Sequence, residues 1–197
     1  MDNIFESIVS INNLFAAWRE FRRGKRKKRD VQEFERDLED NIFQLHEELA
    51  GGAYRHGSYH RFHVFDPKHR IIHKASVRDR LVHHAAYRVL YPIFDRSFID
   101  DSYSCRLGKG THAAVDRLEQ FARKCSHNYT RPCYALKLDI KKFFDSVDHE
   151  ILLSLLKQKI ACPKTNDLLA EIVQSFSKSK TFGGGGRYLR PACPLVI

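Results

Sequence analysis

The segment Leu136-Lys137-Leu138-Asp139-Ile140-Lys141-Lys142-Phe143-Phe144-Asp145-Ser146-Val147 is where the residue types come closest to chemistry. Residues 133–139 alternate enough to predict a strand that ends in a carboxylate. A strand-end aspartate before a tight turn stands at a sheet edge, where it can hold a hard cation. Magnesium prefers one or two carboxylates completed by substrate phosphates. Taken alone, the pattern leans toward an aspartate that merely caps its turn. Asp148 reads as the N-cap of a helix over 148–158.

Cations that could meet a polyanion are spread along the chain. Thirty-four Lys and Arg against 24 Asp and Glu leave a net charge of +10, with 11 histidines in reserve. Such an excess points to nucleic acid, ahead of an anionic membrane because no anchor accompanies it. Arg19, Arg22, Arg23, Lys25, Arg26, Lys27, Lys28 and Arg29 form one basic block. Arg106 and Lys109 lie in a loop, residues 101–110, with two glycines. The longest apolar run is Leu14 to Trp18, far short of the roughly 20 residues a membrane helix needs. The start, Met1-Asp2-Asn3, is acidic and carries no secretory pattern. The five cysteines have no regular spacing, which argues for a reduced, cytoplasmic setting. Cys125, His127 and Cys133 lack the paired spacing of a zinc site.

The elements that must position these groups follow from periodicity. Ile4, Ile8, Ile11, Phe15 and Trp18 predict an amphipathic helix over 4–22, broken at Gly24. Phe34, Leu38, Ile42, Leu45 and Leu49 predict a second over 31–49, ended by Gly51-Gly52. Two short β runs around Asp66-Pro67 predict a hairpin with Pro67 at the second turn position and basic residues on both sides. Helices are expected over 77–91, 111–125 and 165–176.

Several blocks together resemble a known family. Residues 136–147 resemble motif A of reverse transcriptases. Asp66-Pro67-Lys68-His69-Arg70-Ile71-Ile72 resembles their fingers hairpin, and Val77-Arg78-Asp79-Arg80-Leu81-Val82-His83-His84-Ala85 the helix after it. Leu90-Tyr91-Pro92-Ile93-Phe94 and the loop Ser102 to Gly110 resemble the next block, before Ala113-Ala114-Val115. Four blocks in the right order are far more specific than one. The likeness covers residues 54–158 strongly. It reaches more weakly to Asn13-Leu14 and the helices after them, which resemble the extension preceding the fingers in bacterial retroelement enzymes of group II intron and diversity-generating type.

The resemblance implies an α+β chain: a helical N-terminal extension (1–53), fingers with a β-hairpin (54–132), and the first part of a right-hand polymerase palm (133–197). It implies RNA-templated transfer of deoxynucleotides to a primer 3′ end, with Mg2+, or Mn2+ in its place. Asp139 matches the first metal-binding aspartate, and the carbonyl of Ile140 would help hold the second ion. Phe144 matches the bulky gate beneath the sugar; its plainer role is a core aromatic beside Phe143. Lys68 and Arg70 match the triphosphate grip; their plainer role is solvated hairpin charge. Arg78 or Arg80 is expected in an ion pair with Asp79 or Asp95. Arg106, Lys109, Arg26, Lys27 and Lys28 would contact template or primer. The partners implied are an RNA template and primer, a deoxynucleoside triphosphate and an accessory protein, with no membrane.

The 197 residues contain no Tyr-x-Asp-Asp, the family's second carboxylate motif. The chain is therefore expected to be an N-terminal part, inactive alone. The rival expectation is a non-catalytic, maturase-like RNA-binding module on the same basic surface. A nucleotide cyclase palm is disfavoured by the basic hairpin.

Overall fold

The computed structural model describes residues 3–140 and 143–180, without the side chains of 144, 145 and 177–180. Within them the protein is mostly helical, with one two-stranded antiparallel sheet. The chain divides into two compact units. One is built from the described residues of Met1–Tyr91 and Lys142–Ile197, the other from those of Pro92–Lys141.

In the first unit, α1 (Ile4–Val9) and α2 (Ile11–Phe21) replace the single helix expected over 4–22. The apolar period runs through the break, so the cause lies in polar chemistry. Ser10 adopts ψ 140°, and its hydroxyl accepts from Asn13 N–H as the N-cap of α2. The Asn13 amide then donates to Ile8 O at 2.9 Å and to Ala85 O at 3.1 Å. A serine that finds a cap position competes with the helix interior. Likewise α3 (Arg29–Arg36) and α4 (Leu38–Ala50) are separated at Asp37, where φ −115° and ψ 43° leave the helical region. The turn after α4 uses Gly52 at φ +69°, a conformation that costs other residues a steric clash.

The core joins these helices to α5 (Val77–Asp95) and α9 (Pro163–Lys180). Ile8, Leu14, Ala17, Trp18, Ile42, Leu45, Leu81, Val82 and Ala85 are buried together with Leu168, Leu169, Ile172 and Val173. Trp18 packs against Phe34 at 5.1 Å. α1 lies on α2, α4 and α9, and α8 (His149–Lys159) lies on α9. Asp148 caps α8, its Oδ1 accepting from the N–H groups of Glu150 and Ile151 at 2.9 and 3.2 Å. A short α7 (Phe143–Ser146) precedes it.

The second unit holds α6 (Thr111–Cys125) over the expected residues, yet none of its side chains is buried. The strand expected over 133–139 does not form. Residues 132–140 adopt no regular structure, and Tyr134, Leu136 and Leu138 are 93%, 84% and 81% exposed. Alternation marks a face but does not supply a ladder. A strand exists only where a neighbour takes its N–H and C=O groups, and no described segment does so here.

Candidate nucleotide and nucleic-acid site

The hairpin stands on the first unit. Strands β1 (His60–Val64) and β2 (Arg70–Lys74) pair with His60 opposite Lys74 and Val64 opposite Arg70. Alternation sorts the side chains into two faces. Phe62, Val64, Arg70 and Ile72 share one, and Arg61, His63, Ile71 and His73 the other. The base is held on both. Lys74 Nζ reaches Asp30 of α3 at 2.6 Å, and the His73 ring meets Phe176 of α9 edge-on at 5.0 Å. Arg70 is exposed at the outer end of β2 and Lys68 in the turn beyond it. Neither side chain makes an ion pair or hydrogen bond among the described residues. The two residues expected to grip a triphosphate are thus close in the chain and uncommitted.

Beneath the hairpin lies a buried polar network. Asp79, 1% exposed, accepts from the Tyr54 hydroxyl at 2.8 Å, the Ser76 hydroxyl at 2.7 Å and Gly57 N–H at 3.2 Å. Arg78 donates to it at 3.3 Å while also pairing with Glu48. This bears out the expected ion pair to Asp79. Arg80 turns the other way, to Asp30 at 2.7 Å. Burial would raise the Asp30 pKa, but Lys74 and Arg80 together hold it below the usual carboxylate range. Burial, then the neighbouring Asp79 carboxylate, pushes the Tyr54 phenol up, so it remains a donor.

Two imidazoles extend the network. His56 Nδ1 donates to Gly57 O at 2.7 Å, leaving Nε2 to accept from His83 Nε2 at 3.1 Å. Tyr59 lies beside His56, and its hydroxyl meets Ser175 of α9 at 3.0 Å. Glu171 of α9 accepts from His56 N–H at 3.0 Å. Burial, then the positive charge His56 would carry, lowers the His83 pKa to about 4, so His83 is neutral at neutral pH. The network ties residues 54–59, α5 and α9 into one support for the hairpin. Sequence reasoning missed it, because no period links Tyr54, His56, Asp79 and Glu171. The available signal was a buried-period helix that carries an aspartate and histidines on its apolar side.

The basic block runs from the end of α2 through a turn to the start of α3. Arg26, Lys27 and Lys28 are exposed and have no ion-pair partner among the described residues. Arg22 and Arg29 pair with Glu35 and Glu33. The neighbouring groove, lined by Asp30, Glu33, Asp37, Tyr59, Lys74 and Arg78, is different in kind. Its three carboxylates are each paired with a cation.

In the second unit, Arg106 organises its own loop. Its guanidinium donates to the Asp95 carboxylate at 2.7 Å and to the carbonyls of Ile99 and Ser102 at 2.9 and 3.3 Å. Lys109 pairs with Asp100 at 2.7 Å. Both cations are engaged within the loop. Asp139 and Ile140 are exposed, and the Asp139 carboxylate has no partner among the described residues. No group of three or more His, Cys, Asp or Glu suited to a metal occurs among the described residues. One free carboxylate is a donor set that fits magnesium only where phosphate oxygens complete the shell. The Phe144 side chain lies outside the described residues. Among the described residues no helix is long and apolar enough to cross a membrane.

Residues 65–194, about two thirds of the chain, match the family described as reverse transcriptase (RNA-dependent DNA polymerase). Among curated proteins, Protein YkfC of Escherichia coli is 25% identical over 133 residues, covering 66% of this chain and 34% of YkfC. The chain spans about a third of the length of that relative.

Proposed function

The chain belongs to the reverse transcriptase (RNA-dependent DNA polymerase) family, and on that footing we propose that it supplies the N-terminal extension, fingers and first palm segment of a polymerase of bacterial retroelement type. The reaction is transfer of a deoxynucleotide from its triphosphate to a primer 3′ hydroxyl on an RNA template. The observation that carries this reading is the Asp139 carboxylate inside the matched span, exposed and without a partner among the described residues, where neighbouring Asp148 is used up as a helix cap.

Asp139, with the carbonyl of Ile140, would hold divalent ions, Mg2+ or Mn2+. When bound, such ions activate the attacking hydroxyl and steady the leaving pyrophosphate. Arg70 and Lys68 grip the triphosphate: the planar guanidinium suits two phosphate oxygens at once, and the ammonium acts as a point charge. The Asp79 network keeps the hairpin base rigid, so that these side chains are presented at fixed positions. Phe144 closes the space beneath the sugar against a 2′ hydroxyl. Arg106 and Lys109 shape the loop that meets template backbone, and Arg26, Lys27 and Lys28 neutralise RNA phosphates.

The test is primer extension on an RNA template with deoxynucleotides and Mg2+, by this chain supplied with the remaining length of a YkfC-like relative. Extension that disappears in Asp139→Asn supports the reading. The 197 residues alone should incorporate nothing, because two-metal transfer needs the ions clamped from both sides, about 3.5–4 Å apart. Incorporation by the chain alone, abolished in Asp139→Asn, would mean that a second carboxylate serves the site. The three free cations of the 26–28 turn also favour a second reading, a non-catalytic RNA-binding module. RNA binding with no extension in the supplemented protein would select it.

A further inference from the structure

The hairpin tip carries a feature that triphosphate binding does not use. His63 Nδ1 and His69 Nε2 are hydrogen-bonded at 2.7 Å, and their rings are only 8° from parallel. A ring N–H points outward in its own plane, so two near-parallel imidazoles joined nitrogen to nitrogen lie edge to edge as one flat plate. Their centroids, 5.0 Å apart, agree with that arrangement. The Phe65 ring is 17° from the plane of His69 with centroids 4.8 Å apart, and the phenylalanine is 73% exposed. At that separation the Phe65 ring lies offset over the imidazole pair, so its exposed face is backed by two nearly parallel rings at the end of the hairpin.

An exposed phenylalanine costs solubility unless something covers it, and the charges around it say what kind of partner fits. Arg61 shares the His63 face of β1, and Lys68 adjoins His69 in the turn. Both are exposed and without an ion-pair partner among the described residues. Flat rings flanked by free cations match a chain of stacked bases on an anionic backbone. Arg70, by contrast, belongs to the opposite face, so Phe65 can be altered without touching that residue.

We propose that Phe65, His63 and His69 form a stacking platform for an unpaired base of single-stranded nucleic acid, whose backbone passes Arg61. The inference rests on the nucleic-acid reading above and adds a separate contact to it. Because base stacking tolerates any base, the platform confers affinity without sequence preference.

The experiment uses the 197-residue protein, a fluorescent single-stranded oligonucleotide, and a fully abasic deoxyribose strand of equal length and charge. Wild type should bind the base-bearing strand about 5- to 100-fold more tightly than the abasic one. Phe65→Ala should erase that difference and leave abasic binding unchanged, whereas Phe65→Trp should keep it. Phe65 is exposed, so neither variant should alter thermal melting. Equal wild-type affinity for the two strands would overturn the platform while leaving polyanion binding intact. Failure of both strands to bind would sink the nucleic-acid reading as well. Concentration-dependent self-association of wild type, removed by Phe65→Ala with no change in strand affinity, would assign the rings to a second copy of the chain and overturn the proposal.

Discussion

Asp79 Oδ2 stands 3.2 Å from the backbone nitrogen of Gly57 and 3.0 Å from where a Cβ on that glycine would sit. The glycine is there because a buried carboxylate occupies the space a side chain would need. Gly57→Ala should destabilise the protein by about 1–3 kcal/mol, since either the contact or the hydrogen bond must give way. Asp79→Asn should cost roughly 3–5 kcal/mol, leaving Arg78 and the buried hydroxyls poorly matched. Urea unfolding measures both. Wild-type stability in Gly57→Ala would mean that residues 54–59 shift freely.

Acid should loosen the same support. The His83 pKa is lowered from 6.5 to about 4 by burial and by His56, with Asp79 opposing and Arg80 adding to the fall. Between these values the unfolded chain binds a proton that the folded chain refuses. Stability therefore rises with pH across the window and is lost as pH falls through it. The loss should be on the order of 3 kcal/mol by pH 4. Thermal melting from pH 7 to pH 4 should show a shallower decline in His83→Gln than in wild type. Parallel curves would assign the acid sensitivity to other groups.

Replacing Arg26, Lys27 and Lys28 by alanine should flatten the salt dependence of RNA binding. Each phosphate neutralised on a single strand contributes roughly −0.7 to the slope of log affinity against log salt. Three contacts would therefore change the slope by about 2. An unchanged slope would return the turn to solvent.

Phe144→Ala, in the protein supplemented to full length, should admit ribonucleotides by opening space for the 2′ hydroxyl. Incorporation ratios of ribo- to deoxynucleotide read the effect directly. Truncating a core phenylalanine would instead cost about 3–5 kcal/mol. Lost stability with an unchanged ratio among folded molecules would make Phe144 a packing residue.

Arg106→Lys should open the loop between Asp95 and Gly110, although the charge is kept. An ammonium cannot replace the fork that reaches Asp95, Ile99 and Ser102 together. Limited proteolysis should cut this segment faster in the variant, and equal cleavage would show that the pairs Lys109–Asp100 and Arg117–Asp101 suffice to hold it.

What could be read from the sequence was local. The helix over 111–125, the hairpin around Pro67 and the Asp148 cap each depend on residues a few positions apart, and each is present. The breaks at Ser10 and Asp37 escaped because apolar periodicity continues across them while a polar side chain decides the backbone. The segment around Leu136 and Leu138 failed differently. Its alternation is real, but a strand is a relation between two segments and only one is present among the described residues. Lys68 and Arg70 were legible as hairpin cations. The Asp79 support was not, because its members come from residues 54 to 175 and meet only in the folded chain.

The hairpin is a cantilever. Five paired residues give it a reach of about 17 Å, and its anchors lie at the inner end, where Lys74 meets Asp30 and His73 meets Phe176. Any pull at Phe65 or Lys68 is therefore multiplied as torque on α3 and α9, helices more than a hundred positions apart in the chain. Tension on a strand held at the tip would be sensed first by that ion pair and that ring contact, well away from the bases themselves.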